Sequence, residues 1–128
     1  MTGNSIVADT NIFIDLMKGD ISIAKKLESF NEVYFSPVVL AELYFGAYRS
    51  VNPEKHLSKI AIAIQKTKLL IIDAATAEMF VAMKLALFAK GKPIPENDIW
   101  IAATALQHQL PLYTNDNHFA DVEGITLA

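Results

Sequence analysis

Short, almost wholly apolar runs recur along this chain, separated by segments whose apolar residues repeat at helical spacing. That alternation limits the possible folds more than any other feature. The runs are NSIVAD (4–9), VYFS (33–36), LLIID (69–73) and LPLYT (110–114), with GITLA (124–128) as a possible fifth. A strand that is apolar at successive positions must be covered on both faces, because neighbouring side chains point to opposite sides of a sheet. Between the runs lie helical stretches with recognisable starts and stops. TNIFIDLMKG ends at Gly19, and Asp20 can cap ISIAKKLESF. Ser36 can cap the helix that Pro37 opens, PVVLAELYFGAY, and PEKHLSKIAIAIQK follows it. Asp73 can cap AATAEMFVAMKLALFAK, which Gly91 and Pro93 end, and a last helix is expected over 98–109. The expected class is α/β: one domain over residues 1–128, with a parallel sheet of four to five strands flanked by helices on both faces. In such a sheet, ligands bind beyond the carboxyl ends of the strands, where strand order reverses.

Composition narrows the chemistry. With 52% apolar residues the chain can build a real core, and with no cysteine it has neither disulfides nor thiolate metal sites. The opening MTGNSIVAD lacks a basic segment followed by a long apolar stretch, so no secretory leader is expected. The most apolar zone, VYFSPVVLAELYFGAY, is interrupted by Pro37 and Glu42 and makes a poor membrane span. A soluble, cytoplasmic protein is the expectation. The net charge is −3, and Arg49 is the only arginine beside ten lysines. This is not the basic footprint of a free-standing nucleic-acid binder. A metal-dependent nuclease escapes that objection, because its bound cations offset the carboxylates at its centre.

Four acids do not behave like surface acids. Asp9 ends the first strand and is followed by Thr10 and Asn11; capping the next helix and serving a site are both open to it. Glu42 sits in VVLAELYFG with apolar residues on every side of the helix, outside any solvated stripe. A charge there costs several kcal/mol or more, of order, unless it is paired, protonated or metal-bound. A lysine or arginine partner, Arg49 included, is the plain alternative. Asp98, in PENDIWIAATA, can cap the helix it heads or hold a metal. Asp116 follows the fourth strand in LYTNDNHF, where turn chemistry alone would explain the Asn/Asp cluster. The fold would nevertheless bring all four to one end of the sheet, and four converging carboxylates need a compensating cation. Oxygen ligands without cysteine or paired histidines suit Mg2+ or Mn2+ better than zinc. His56, His108 and His118 lie in separate segments, so a metal-free histidine mechanism is not supported and they stay outside the mechanism.

ADTNIFID, SPVVLAELYFG, ENDIWIAATAL and LYTNDNHF occur in the order expected of a PIN domain. The chain most closely resembles the VapC-type ribonuclease toxins of bacterial toxin–antitoxin (VapBC) pairs; residues 50–92 match only in pattern. The resemblance implies a metal site of Asp9, Glu42, Asp98 and Asp116. It makes Asp9 and Asp98 direct ligands, with Glu42 and Asp116 binding directly or through water. Thr10, Asn11, Ser36, Asn97, Thr114 and Asn115 match polar positions that orient ligands or touch substrate, although capping or turn formation would account for each alone. It also implies Mg2+- or Mn2+-dependent hydrolysis of RNA, with tRNA as the substrate class of the most similar members, arrest of translation, and 5′-phosphate and 3′-hydroxyl ends. A VapB-type antitoxin that blocks the pocket and a second copy of the chain are the implied partners.

Other classes fit less well. A receiver-type phosphoacceptor would want paired acids after the first strand and a lysine after the last. A haloacid-dehalogenase phosphatase would want an aspartate where Asn11 stands. A catalytically silent module whose acidic pocket binds a basic partner is the non-enzyme alternative, separable by loss of RNA cleavage in Asp98→Asn. Lys18, Lys84, Lys90 and Lys92 could meet the RNA backbone, each being otherwise an ordinary surface charge. Tyr44, Phe45 and Tyr48 could stack bases, with core packing or a dimer surface as the plainer roles.

Overall fold

A computed structural model describes residues 4–128; the first three residues of the stretch read above for a leader lie outside it. The chain order is β1 (Ser5–Ala8), α1 (Thr10–Met17), α2 (Ile21–Glu28), β2 (Glu32–Phe35), α3 (Pro37–Tyr48) and α4 (Pro53–Gln65). Then come β3 (Lys68–Leu69), α5 (Ala74–Ala89), α6 (Glu96–Gln107), β4 (Leu112–Tyr113) and a 3-10 helix, Asn117–Asp121. All strand pairs are parallel, in the order β3-β2-β1-β4. Every residue of β1 is buried, and since its side chains alternate between faces, both faces of the sheet are covered there.

The route of the chain fixes where a site can form. From β1 it moves outward to β2 and then β3, returns through α5 and α6, and lays β4 on the other flank of β1. Strand order therefore reverses between β1 and β4, which places a cleft at their carboxyl ends. Two backbone bonds align those ends: Val7 N–H donates to Pro111 O (2.9 Å) and Asp9 N–H to Tyr113 O (3.0 Å). Asp9 and Thr114, the residues that follow the two strands, are thereby held side by side.

Most helix boundaries follow from local chemistry. Asp20, Ser36 and Asp73 each accept an N–H three residues on, capping α2, α3 and α5 as expected. Gly19, at φ +92°, stops α1 in a conformation that an L side chain rarely adopts. In α6, Ile99 and Ile101 through Ala105 are all buried, and the run of alanines lets α5 pack closely. Phe80 of α5 stacks on Trp100 of α6 with ring centroids 4.1 Å apart. Gln107 donates to Asp73 (2.9 Å) and so ties the end of α6 to the start of α5.

Three expectations need correction. The helix read as starting at Asp98 starts at Glu96, with Pro95 in the capping position and no side-chain cap bond. Asp98 therefore lies within the first turn and is not the cap. The strand expected over 69–73 is only Lys68–Leu69, an edge strand whose pairing to β2 ends at the bond from Leu70 N–H to Phe35 O (2.8 Å). Leu69 and Ile71 are 52% and 70% exposed, so this run is apolar without being covered on both faces. The fifth strand shrinks to one parallel bridge, Leu112 to Leu127.

Candidate metal centre

Asp9 is 3% exposed, at the junction of β1 and α1. Its Oδ1 accepts the Thr10 N–H (2.7 Å), and its Oδ2 accepts the Thr114 hydroxyl (2.7 Å) and the Asn11 amide (3.2 Å). The capping and site readings merge here, since the carboxylate caps α1 while its second oxygen is drawn toward β4. Thr114 is the hub. Its hydroxyl donates to Asp9 and accepts the Asp116 N–H (2.9 Å), which sets the turn that carries Asp116. Asn11 accepts the Asn115 N–H (3.0 Å), and Asn115 donates to Asp15 (3.1 Å), closing that side of the cleft.

Glu42 is half-buried in α3 and accepts the Thr10 hydroxyl at 2.6 Å. Arg49 is not its partner: the guanidinium lies over the Phe45 ring, 5.1 Å from the centroid. Three of the four lysines named as possible RNA contacts are also engaged elsewhere. Lys84 pairs with Glu96, Lys90 with Glu123 (3.0 Å) and Lys92 with Asp121 (3.4 Å). Among the described residues, no lysine or arginine forms a salt bridge with Asp9, Glu42, Asp98 or Asp116.

The nitrogen side chain that does reach the acids is His118, expected from the sequence to stay outside the mechanism. His118 Nδ1 lies 2.7 Å from Asp98 Oδ2 and 3.1 Å from Asp116 Oδ2. The Asp116 carboxylate caps the 3-10 helix by accepting the His118 N–H (2.9 Å), so the same residue that binds the imidazole also aims it. Asp98, Asp116 and His118 each offer a ligand atom within 4.8 Å of the others. The available signal was His118 in the polar turn beyond the fourth strand, at the sheet end where ligands collect.

Two supporting residues behave differently from the rest. The Ser36 hydroxyl is fully buried and accepts the Val39 N–H (3.2 Å) as the cap of α3. Asn97 is exposed, and no side-chain hydrogen bond ties it to the acids among the described residues. Thr10, Asn11, Thr114 and Asn115, by contrast, knit the acids together.

The charges strain against one another. Burial pushes the Asp9 carboxyl above its ordinary range; the Thr114 and Thr10 bonds pull it back, while Asp98 and Glu42 push it further up. Burial also raises Asp98, against the His118 bond, and Asp116 adds to the rise. The Asp98 bond raises His118 against the cost of desolvation, with help from Asp116 and Asp9. An aspartate paired to a histidine usually falls in pKa, and at Asp98 burial outweighs the pairing. Each of these carboxylates thus feels at least one other, and the set is oxygen-rich with a single nitrogen donor. Such a donor set fits a hard divalent cation, which would relieve both the burial cost and the mutual repulsion.

The chain matches the PIN domain model over residues 6–125. It is 39% identical to Ribonuclease VapC4 of Mycobacterium tuberculosis over 98 residues, 72% of this chain and 75% of that one. It is 31% identical to the tRNA(fMet)-specific endonuclease VapC of Shigella flexneri, covering 91% of each chain. Among solved structures, it superposes on VapBC2 from Rickettsia felis bound to a promoter DNA fragment with a TM-score of 0.92, 27% identity and 97% coverage of both chains. The chain belongs to the PIN-domain family and, within it, to the VapC ribonucleases. The parallel four-stranded α/β fold matches that of this solved VapBC structure.

Proposed function

We propose that this protein is a divalent-metal-dependent endoribonuclease, the toxin of a VapBC-type pair, using Mg2+ or Mn2+ held by Asp9, Glu42, Asp98 and Asp116. The single observation that carries the reading is the convergence of these four acids at the β1–β4 switch point without a lysine or arginine partner among the described residues. Asp9 and Asp98 are the direct ligands, and Glu42 and Asp116 complete the shell directly or through water. When bound, the cation lowers the pKa of a coordinated water and neutralises charge on the phosphoryl and leaving oxygens.

The chain's own residues supply position. Thr114 and the Thr10 amide hold the two Asp9 oxygens, and the Thr10 hydroxyl fixes Glu42, so two acids are locked before substrate arrives. The buried face of α6 holds Asp98 still. Asn97 and Asn115, exposed at the rim, are available to touch the RNA. Ser36 supports the site by holding the start of the helix that bears Glu42.

The substrate we favour is tRNA, on the strength of the Shigella flexneri relative's named specificity. Cleavage would leave 5′-phosphate and 3′-hydroxyl ends and arrest translation. A VapB-type antitoxin is the proposed partner, as in the VapBC complexes that the chain superposes on. An apolar groove of about 510 Å3, lined by Leu16, Leu27, Phe30, Val33, Ile62 and Ala63, offers the kind of surface a protein partner covers. Phe45 and Tyr48, 63% and 68% exposed on one face of α3, suit a homodimer contact. End-mapping of RNAs cut after induction, with Asp98→Asn as control, tests the activity and names the substrate together. Mg2+ binding without cleavage of any RNA in a broad panel would instead favour a silent binding module.

A further inference from the structure

The family resemblance assigns the metal to acids alone, yet the side chain lying between two of those acids is an imidazole. We propose that His118 is a nitrogen ligand of the cation held by Asp98 and Asp116, and that it tilts the site toward Mn2+ over Mg2+. The inference rests on the metal-site reading above and adds a donor to it.

The geometry carries it. An octahedral cation with bonds of about 2.1 Å keeps adjacent ligand atoms about 3 Å apart. His118 Nδ1 stands 2.7 Å from Asp98 Oδ2 and 3.1 Å from Asp116 Oδ2, which brackets that separation without moving a side chain far. The ring is also aimed. Its own backbone N–H is held by Asp116 Oδ1 (2.9 Å), while the following residue, Phe119, is 1% exposed and anchors the short helix in the core. With half of its side chain exposed, the imidazole has room to rotate by the small angle that turns a hydrogen bond into a coordination bond.

The chemistry gives the consequence. Mg2+ prefers oxygen donors and keeps its waters, so it gains little from an imidazole. Imidazole nitrogen instead suits the transition metals, and Mn2+ shares the oxygen preference of the rest of the set. To ligate through Nδ1, His118 would give up its hydrogen bond to Asp98 and be neutral, any Nδ1 proton passing to solvent while Nε2 carries the remaining one.

The test uses the full chain with Mn2+ and Mg2+ as probes. Electron paramagnetic resonance would count bound Mn2+, pulsed measurements would look for nitrogen coupling to it, and calorimetry would supply Mg2+ affinity. His118→Asn places an amide near the Nδ1 position, so the hydrogen bond to Asp98 survives while the nitrogen ligand is lost; His118→Ala removes both. We expect nitrogen coupling in the wild type and none in either variant. Both variants should lose Mn2+ affinity by about tenfold or more, a loss already reached when an outer-shell partner is removed, with Mg2+ affinity nearly unchanged. Bound Mn2+ without nitrogen coupling, or wild-type Mn2+ affinity in His118→Asn, would overturn the inference while leaving the acidic site intact. If neither Mn2+ nor Mg2+ binds the wild type, or if Asp98→Asn binds them as well as the wild type does, the metal-site reading fails and takes this one with it.

Discussion

Thr114→Val is the substitution that most directly tests how the acids are held. Valine keeps the shape and removes the hydroxyl, so the bond given to Asp9 Oδ2 (2.7 Å) and the one accepted from the Asp116 N–H (2.9 Å) disappear, together with a longer one from the Asn11 amide (3.4 Å), which keeps its bond to Asp9. A hydrogen bond to a charged acceptor contributes roughly 1.5–3 kcal/mol, and a neutral one roughly 0.5–1.5. Thr114 and Asp116 are only half-buried, so water replaces part of what is lost. The expected cost is therefore near the lower end of the sum, about 2 kcal/mol. Urea denaturation in the presence of a chelator at neutral pH would measure it as a lower midpoint at unchanged slope.

The pH dependence of that loss gives a sharper check. The Thr114 hydroxyl pulls the Asp9 pKa down, so in the variant the folded-state value, already raised by burial, climbs further. As pH falls, the variant protonates Asp9 first and is relieved first. The gap between the two proteins should then close as pH drops through the variant's and next the wild type's folded pKa, both above 3.8, to about 1 kcal/mol or less. Mn2+ affinity should fall about 10- to 100-fold, as for other ligand-orienting partners. A stability difference below about 0.5 kcal/mol at neutral pH, or one that does not change with pH, would refute the reading of Thr114 as the residue that holds Asp9.

Four further outcomes are expected. Asp98→Asn should lower Mg2+-dependent RNA cleavage at least about hundredfold, measured in single-turnover assays, since loss of a ligand costs no less than loss of its orienting partner. Mg2+ at about 100 times its dissociation constant should raise wild-type stability by about 2.7 kcal/mol in thermal melts, and Asp98→Asn should lose most of that gain. Without metal, the raised carboxyls of Asp9 and Asp98 penalise the fold above their folded pKa values, and the raised His118 stabilises it until pH climbs through its own. All three favour mild acid, so chelated protein should melt higher there than at pH 8; only nearer 3.8 should the lowered cap carboxylates Asp20 and Asp73 withdraw their support. Phe45→Asp should convert a dimer to a monomer in sedimentation velocity, because Phe45 is 63% exposed on α3 and a charge there opposes an apolar contact.

What the sequence made legible were the features whose causes are local. Asp20, Ser36 and Asp73 cap the helices that begin one residue later, and Gly19 stops the helix before it. The apolar run at β1 marked a strand covered on both faces. The same inference misled at LLIID, because hydrophobicity reports that a segment is apolar without saying whether a neighbouring strand lies on both sides of it. β3 is the last strand on its edge, and Ile71 is left exposed there. The start of α6 was misplaced for a related reason: acids are the common caps, but Pro95, with φ −55° and ψ 143°, turns the chain into the helix without a side-chain bond.

Asp98 gains from that displacement. Freed from capping, its carboxylate points to His118, a contact that joins α6 to the 3-10 helix across 20 positions of sequence. No spacing rule could announce it, because it exists only where two elements pack. The acids themselves were legible, since a carboxylate among apolar neighbours, or at the end of a buried strand, is conspicuous from composition alone. What holds them was not. Thr10, Asn11 and Thr114 are ordinary capping and turn residues until the parallel pairing of β1 with β4 sets Thr114 against Asp9. That pairing is the common cause of the site. The same backbone bonds that align the two strand ends force buried like charges together and bring the hydroxyls that make the arrangement tolerable. The fold therefore carries a standing electrostatic cost at this end of the sheet, one that a bound cation would relieve and that three hydrogen bonds to a single aspartate keep in check.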